Sequence, residues 1–180
     1  MEQEIKSQLV LDIETTGLHP WYGDRITCMC AKEIVTGDKF LLCNEDESHI
    51  LRQFIDFLRK YKHSETMLIT ANGTDFDIPF ILTRITVNKL NIIVPDDHIT
   101  YISKLLHFDI DNDITKKRIS LNDIAALYGL GKKTANGLQA IEWWKNKEYD
   151  KIVKYCWQDV LLTEKVFLTF RKLKNERVER

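Results

Sequence analysis

The run Leu9-Val-Leu-Asp-Ile-Glu14 constrains this chain more than any other stretch. It is apolar apart from its two acids, and Thr15-Thr16-Gly17 stops it, so it reads as a buried strand. Side chains alternate along a strand, which puts Asp12 and Glu14 on one face and Leu11 and Ile13 on the other. Two like charges side by side in a core strand are costly, because each unpaired buried carboxylate loses its hydration. Either the strand end opens to water, or a hard divalent cation takes the carboxylate oxygens.

The remaining pattern surrounds that strand with a sheet and helices. Arg25 to Ile34 and Lys39 to Leu42, joined across Thr36-Gly37-Asp38, predict a β-hairpin. Ser48 is placed to cap a helix carrying Ile50, Leu51, Phe54, Ile55 and Leu58 at helical spacing. Met67 to Thr70 predicts a short strand ending at Ala71-Asn72-Gly73, followed by a helix from about Asp77 to Val87 with Pro79 in its first turn. After Pro95-Asp96-Asp97 a further strand is expected between Ile99 and Asp109. Ser120 then caps Leu121 to Leu127, with Gly129 as the stop. Tyr149 to about Lys174 reads as one long helix with Ile152, Cys156, Val160, Thr163 and Phe167 on a single face. Hairpins followed by strand–helix alternation predict an α/β fold, a mixed sheet flanked by helices. No repeat or linker interrupts the sequence, so residues 1–180 are expected to form a single domain.

Two more constellations carry chemistry. Asn72-Gly-Thr-Asp-Phe76-Asp77 bridges a strand and a helix, the edge at which sites on open sheets are found. Asn72 also suits an ordinary turn, and Asp77 an ordinary helix start. Tyr155-Cys-Trp-Gln-Asp159 sets a phenol and a carboxylate one helical turn apart, fit either for a metal with its water or for a plain Tyr–Asp hydrogen bond.

Composition narrows the rest. With 44% hydrophobic and 29% charged residues, the chain is an ordinary globular one. Its apolar runs are too short to span a bilayer and its first residues too polar for a secretory signal, so a cytoplasmic protein without membrane contact is expected. Cys28, Cys30, Cys43 and Cys156 form no C-x-x-C pair and are read as reduced core residues. The net charge of −1 does not advertise a nucleic-acid binder. Basic residues do gather at Lys116-Lys117-Arg118, Lys132-Lys133 and Arg171-Lys172-Lys174. Trp143-Trp144 has no assigned role.

Taken in order, Asp-x-Glu on a first strand, Asn-x-x-x-Phe-Asp at a strand-to-helix turn and Tyr-x-x-x-Asp on a late helix resemble the DEDD superfamily of 3′–5′ exonucleases. Tyr155 matches its tyrosine branch; the histidine branch would have a His where Lys154 stands, and His107 with Asp111 does not reproduce that spacing. Asp-Ile-Glu-Thr-Thr-Gly-Leu18, Tyr-Cys-x-x-Asp-Val160 and the stretch Ser120 to Gly129, followed by Lys132, are similar to the proofreading exonuclease domains of family B DNA polymerases. The resemblance covers residues 8 to about 168 and implies a ribonuclease-H-like fold.

It also implies a two-metal phosphodiester hydrolysis. Asp12, Glu14, Asp77 and Asp159 would hold two Mg²⁺ or Mn²⁺ ions, and Tyr155 would orient the attacking water. Thr15, Thr16 and Leu18 would receive the terminal nucleotide, Leu18 as a wedge between bases. Asn72 and Phe76 would touch the unpaired strand, Phe76 by stacking. Plain core packing is the competing account of Leu18 and Phe76. The expected partner is nucleic acid, single-stranded DNA before RNA, with a polymerase or other replication or repair protein as a further one. The rival functions are a catalytically silent module on the same fold that binds nucleic acid or docks on a polymerase, and a ribonuclease sharing every catalytic residue.

Overall fold

A computed structural model of the chain describes residues 4–90, 102–131 and 137–178. The expectations for Pro95-Asp96-Asp97, for Ile99 and for Lys132-Lys133 lie outside those residues. The strands are β1 (Ser7–Thr15), β2 (Ile26–Glu33), β3 (Lys39–Cys43), β4 (Thr66–Thr70) and β5 (Leu106–Asp109). They form a sheet in the order β3-β2-β1-β4-β5. β1, β2 and β3 pair antiparallel, whereas β4 runs parallel to β1 and β5 parallel to β4. This is the mixed sheet expected, with the acid-bearing strand at its centre.

Helices cover both faces. On one, α1 (Glu47–Leu58) and α2 (Asp77–Val87) bury Ile50, Phe54, Phe80 and Ile81 against Leu9, Leu11 and Ile13 of β1. On the other, the long α5 (Tyr149–Val178) lays Ile152, Cys156, Val160 and Phe167 over Val10, Cys28, Cys30 and Ile69. Thr163 is buried on the same helix, so the foreseen face of α5 is the packed one. α3 (Leu121–Leu127) packs Ile124 and Ala125 against Leu162 and Val166 of α5. Ser120 caps α3 by accepting the amide of Asp123, and Gly129 beyond it adopts φ +69°.

Two expectations need correction. The N-cap of α1 is Asp46, whose carboxylate accepts the His49 amide; Ser48 lies inside the helix and its hydroxyl donates to Asn88 Oδ1 at 2.8 Å. An acid two residues earlier wins the cap because it accepts the amide with a full charge and complements the helix dipole. Trp143-Trp144 belongs to a helix that the pattern did not predict, α4 (Gly137–Lys145), which buries only Ala140 among its described side chains. Among the described residues, no helix is long and apolar enough to cross a membrane.

Candidate active site

The parallel strands β1, β4 and β5 end at the same edge, and the candidate residues gather there. Asp12 and Glu14 pair in register with Cys30 and Cys28 on β2, which fixes all four on the face under α5. From α5, Cys156 donates its thiol to the Asp12 carbonyl at 3.3 Å. Asp159 follows one turn on, buried, with Tyr155 buried before it. Asp77, the first residue of α2, turns back to the sheet and accepts the Ile13 amide at 3.2 Å on Oδ1. Trp143 packs edge-on to Tyr155 at 6.0 Å, and Trp144 lies against Tyr149 at 5.4 Å, so α4 buttresses the start of α5.

Four carboxylates from three elements thus converge, at a visible electrostatic cost. Asp12 is held well above the ordinary carboxylate range, first by burial and then by the charges of Asp159, Glu14 and Asp77. Burial likewise pushes Asp77 up to about 7, against the amide bonds that favour its charged form. Asp12 Oδ2 is sealed from solvent and has no hydrogen-bond partner. An orphaned carboxylate oxygen facing further acids is a poor structural device and a good ligand for a hard cation. The donor set fits divalent metal of the magnesium or manganese kind. One oxygen each from Asp12 and Glu14 lies with Cys156 Sγ inside a 4.8 Å group, and Cys28, Cys30 and Cys156 form a second such group. All four cysteines are free; Cys28, Cys30 and Cys156 are buried in the core and Cys43 partly so.

The expected substrate residues fall around this centre in different states. Thr15 donates its hydroxyl to the Gly17 carbonyl at 2.6 Å, and the Thr16 hydroxyl accepts the Arg25 amide and reaches Asp24, so both hydroxyls are engaged inside the turn. Leu18 is 70% exposed, which removes core packing as its explanation. Phe76 is half-buried against Phe80, ring centroids 5.5 Å apart, and is part of the core by that contact. Asn72 adopts φ 63°, a left-handed backbone that Asn tolerates better than most residues.

Some contributors carried no spacing signal. A cleft of about 490 Å³ is lined by Asp12 and Asp159, by Asn72, and also by Asp111, Arg118 and Ser120. Arg118 is the member of the Lys116-Lys117-Arg118 cluster that reaches it; Arg171, Lys172 and Lys174 are exposed on α5. Asp109 is buried and accepts the amides of Asn72 at 2.9 Å, Thr74 at 2.6 Å and Asp111 at 3.0 Å. It therefore fixes the loop that carries Asn72, Phe76 and Asp77. Its place as the last residue of a strand, beside a second strand end rich in turn residues, was the available clue. His107 bonds Thr70 through Nε2 at 2.7 Å rather than joining Asp111.

A mixed sheet of this order, with carboxylates meeting at the carboxyl edge of its parallel strands, defines a nuclease-type domain of the ribonuclease-H kind. Residues 9–170 match the RNase H superfamily, and the chain belongs to it. A DNA polymerase of Orgyia pseudotsugata multicapsid polyhedrosis virus is 25% identical over 185 aligned residues, covering 84% of this chain and 19% of the polymerase. The family B DNA polymerase of the hyperthermophilic archaeon Pyrobaculum calidifontis superposes with a TM-score of 0.70 at 18% identity, over 92% of this chain and 24% of that one. The chain thus spans about a fifth to a quarter of the length of these polymerases.

Proposed function

We propose that this chain is a metal-dependent 3′–5′ exonuclease of the DEDD superfamily's tyrosine branch, acting on single-stranded DNA as one domain. The observation that carries the reading is the convergence of Asp12, Glu14, Asp77 and Asp159, where burial first and mutual repulsion second raise the Asp12 pKa. In this reading the four carboxylates hold two divalent ions, Mg²⁺ or Mn²⁺. Such ions, when bound, supply an activated water and charge stabilisation at the scissile phosphate.

The protein's own groups do the rest. Tyr155 is fixed against Trp143, so its phenol orients the attacking water without freedom to swing away. The Ile13 amide and the Asp109-anchored loop hold Asp77 at a set distance from β1. Arg118, at the mouth of the cleft, offers a cation to a phosphate. The backbone of Thr15 and Thr16 receives the terminal nucleotide, Leu18 wedges between bases, and Asn72 and Phe76 meet the unpaired strand. Digestion of a 5′-labelled single-stranded DNA with Mg²⁺ or Mn²⁺, beside the same sequence in RNA, tests this. A metal-dependent ladder shortening from the 3′ end, absent in Asp12→Ala, is the expected result. No cleavage of either strand, together with no Mn²⁺ binding by calorimetry, would replace the enzyme with a silent docking module.

A further inference from the structure

The tight turn Pro20–Tyr22 holds its two aromatic rings out in water: Trp21 is 73% exposed and Tyr22 is 89% exposed. The backbone beneath them is firmly anchored. Arg84 donates from Nη1 to the Pro20 carbonyl at 3.0 Å, while its Nε and Nη2 clamp the buried Glu47 carboxylate at 2.7–3.0 Å. Asp24 accepts the His19 amide at 2.9 Å and takes the Thr16 hydroxyl at 3.3 Å. Gly17 lies directly beneath that carboxylate: a Cβ there would meet Asp24 Oδ2 at 2.4 Å and push it out of place. Gly23 turns the chain away at φ +102°.

A buried ion pair therefore serves to hold a turn whose large side chains bury little. Folding gains almost nothing from these rings, and exposed aromatic surface on a rigid support marks a binding site. Its position says for what. The segment Leu18 to Tyr22 faces Asp75, Phe76 and Pro79 across a cleft of about 230 Å³, directly beyond the Thr15-Thr16 turn that leaves the Asp12–Glu14 strand. The cleft presents flat rings and an acid on its rim, which suits the faces of bases and not phosphates.

We propose that Trp21 and Tyr22 form a base-stacking platform for single-stranded nucleic acid, receiving nucleotides upstream of the one at the carboxylates. This inference rests on the exonuclease reading and adds the length of strand that the enzyme grips. Stacking on an aromatic ring is sequence-tolerant, so the platform would grip any unpaired strand long enough to reach it.

Fluorescence anisotropy of a labelled oligothymidylate, with Ca²⁺ replacing Mg²⁺ to prevent cleavage, tests it on the full chain. Trp21→Ala and Tyr22→Ala should each weaken binding by about 5–150-fold, the range that one lost stacking partner accounts for. Trp21→Phe should recover much of the loss. In the Mg²⁺ reaction both alanine variants should raise KM for long oligonucleotides while leaving dinucleotide hydrolysis unchanged, because a dinucleotide does not reach the turn. The melting temperature should barely move, since both rings are largely exposed and Tyr22 meets the His19 ring only edge-on, at 6.1 Å. Unchanged affinity and KM in variants that still cleave would overturn the platform and leave the exonuclease intact, assigning the exposed rings to a protein surface instead. Wild-type chain that binds single strands without cleaving, with the variants weakened, would sustain the platform and remove the nuclease.

Discussion

Asp12 and Asp77 hold their protons at a pH where free aspartate has lost its own, and this has measurable consequences. An unfolded aspartate titrates near about 3.9, whereas Asp77 in the metal-free fold is pushed up to about 7. Between those values the folded chain binds a proton that the unfolded chain has released. The contribution of Asp77 to the stability of the metal-free protein should accordingly fall as pH rises from about 4 to about 7. His107, whose buried ring resists protonation, acts in the opposite sense below about pH 6.5. The contrast between wild type and Asp77→Asn isolates the acid. Urea denaturation in chelator at about pH 5 and about pH 8 should give the lower stability at pH 8, with the difference reduced in Asp77→Asn. Added Mn²⁺ should restore more at the higher pH; a restoration independent of pH would count against metal binding by this cluster. For activity, Asp12→Ala should cost about 10³-fold or more in kcat, as loss of a major electrostatic contributor does. Tyr155→Phe should cost less than the ~10²-fold at which general acid–base roles begin. A Tyr155→Phe loss as large as that of Asp12→Ala would give the phenol a chemical step rather than an orienting one.

Between elements, the loop from Thr70 to Asp77 depends on a residue outside it. Asp109 satisfies the amides of Asn72, Thr74 and Asp111, and a charged acceptor bond contributes about 1.5–3 kcal/mol. Asp109→Ala should lower stability by about 3 kcal/mol and loosen Asp77, so that kcat and Mn²⁺ affinity fall together; a drop in melting temperature with both unchanged would make Asp109 merely structural. Glu47→Ala should cost a comparable 3–5 kcal/mol, because it strands Arg84 in the interior. Neither residue belongs to a sequence motif, and the reason is physical. β1, the β2–β3 hairpin, α2, α3 and α5 announce themselves through periodicity, because each buries one regular face. Asp109 ends a short strand whose flanks show no period, and its role lies wholly in backbone amides that no side-chain pattern encodes. α4 escaped notice for a different cause: its apolar stripe, Ala140, Ile141, Trp143 and Trp144, is little more than one turn long, too short for a period to show. Ser48 was the wrong cap for α1 because Asp46, two residues earlier, is equally capable, and only the backbone at Asp46 (φ −89°, ψ 97°) selects it. The site motifs, by contrast, were legible as a set, since Asp12–Glu14, Asn72–Asp77 and Tyr155–Asp159 keep their order and element types even though each alone is commonplace.

Across the molecule, the sheet order puts the acid-bearing β1 between β2 and β4, hydrogen-bonded on both edges. Such a strand cannot slip by one residue without exchanging Asp12 and Glu14 for Leu11 and Ile13 on the face beneath α5. Activity and global structure should then be lost together. In a urea titration, cleavage and far-UV circular dichroism should share one midpoint, and activity vanishing well before the ellipticity would mean that α5 peels off separately.

Asp159 rides on α5, while Asp12 rides on β1, far earlier in the sequence. Seen along the path of synthesis, a ribosome must complete α5 before the two acids can meet. A nascent or truncated polypeptide ending before α5 would lack both Tyr155 and Asp159. The four-acid cluster is therefore complete only once α5 has docked on the sheet, and the fold itself acts as a safety catch on any chemistry the cluster performs.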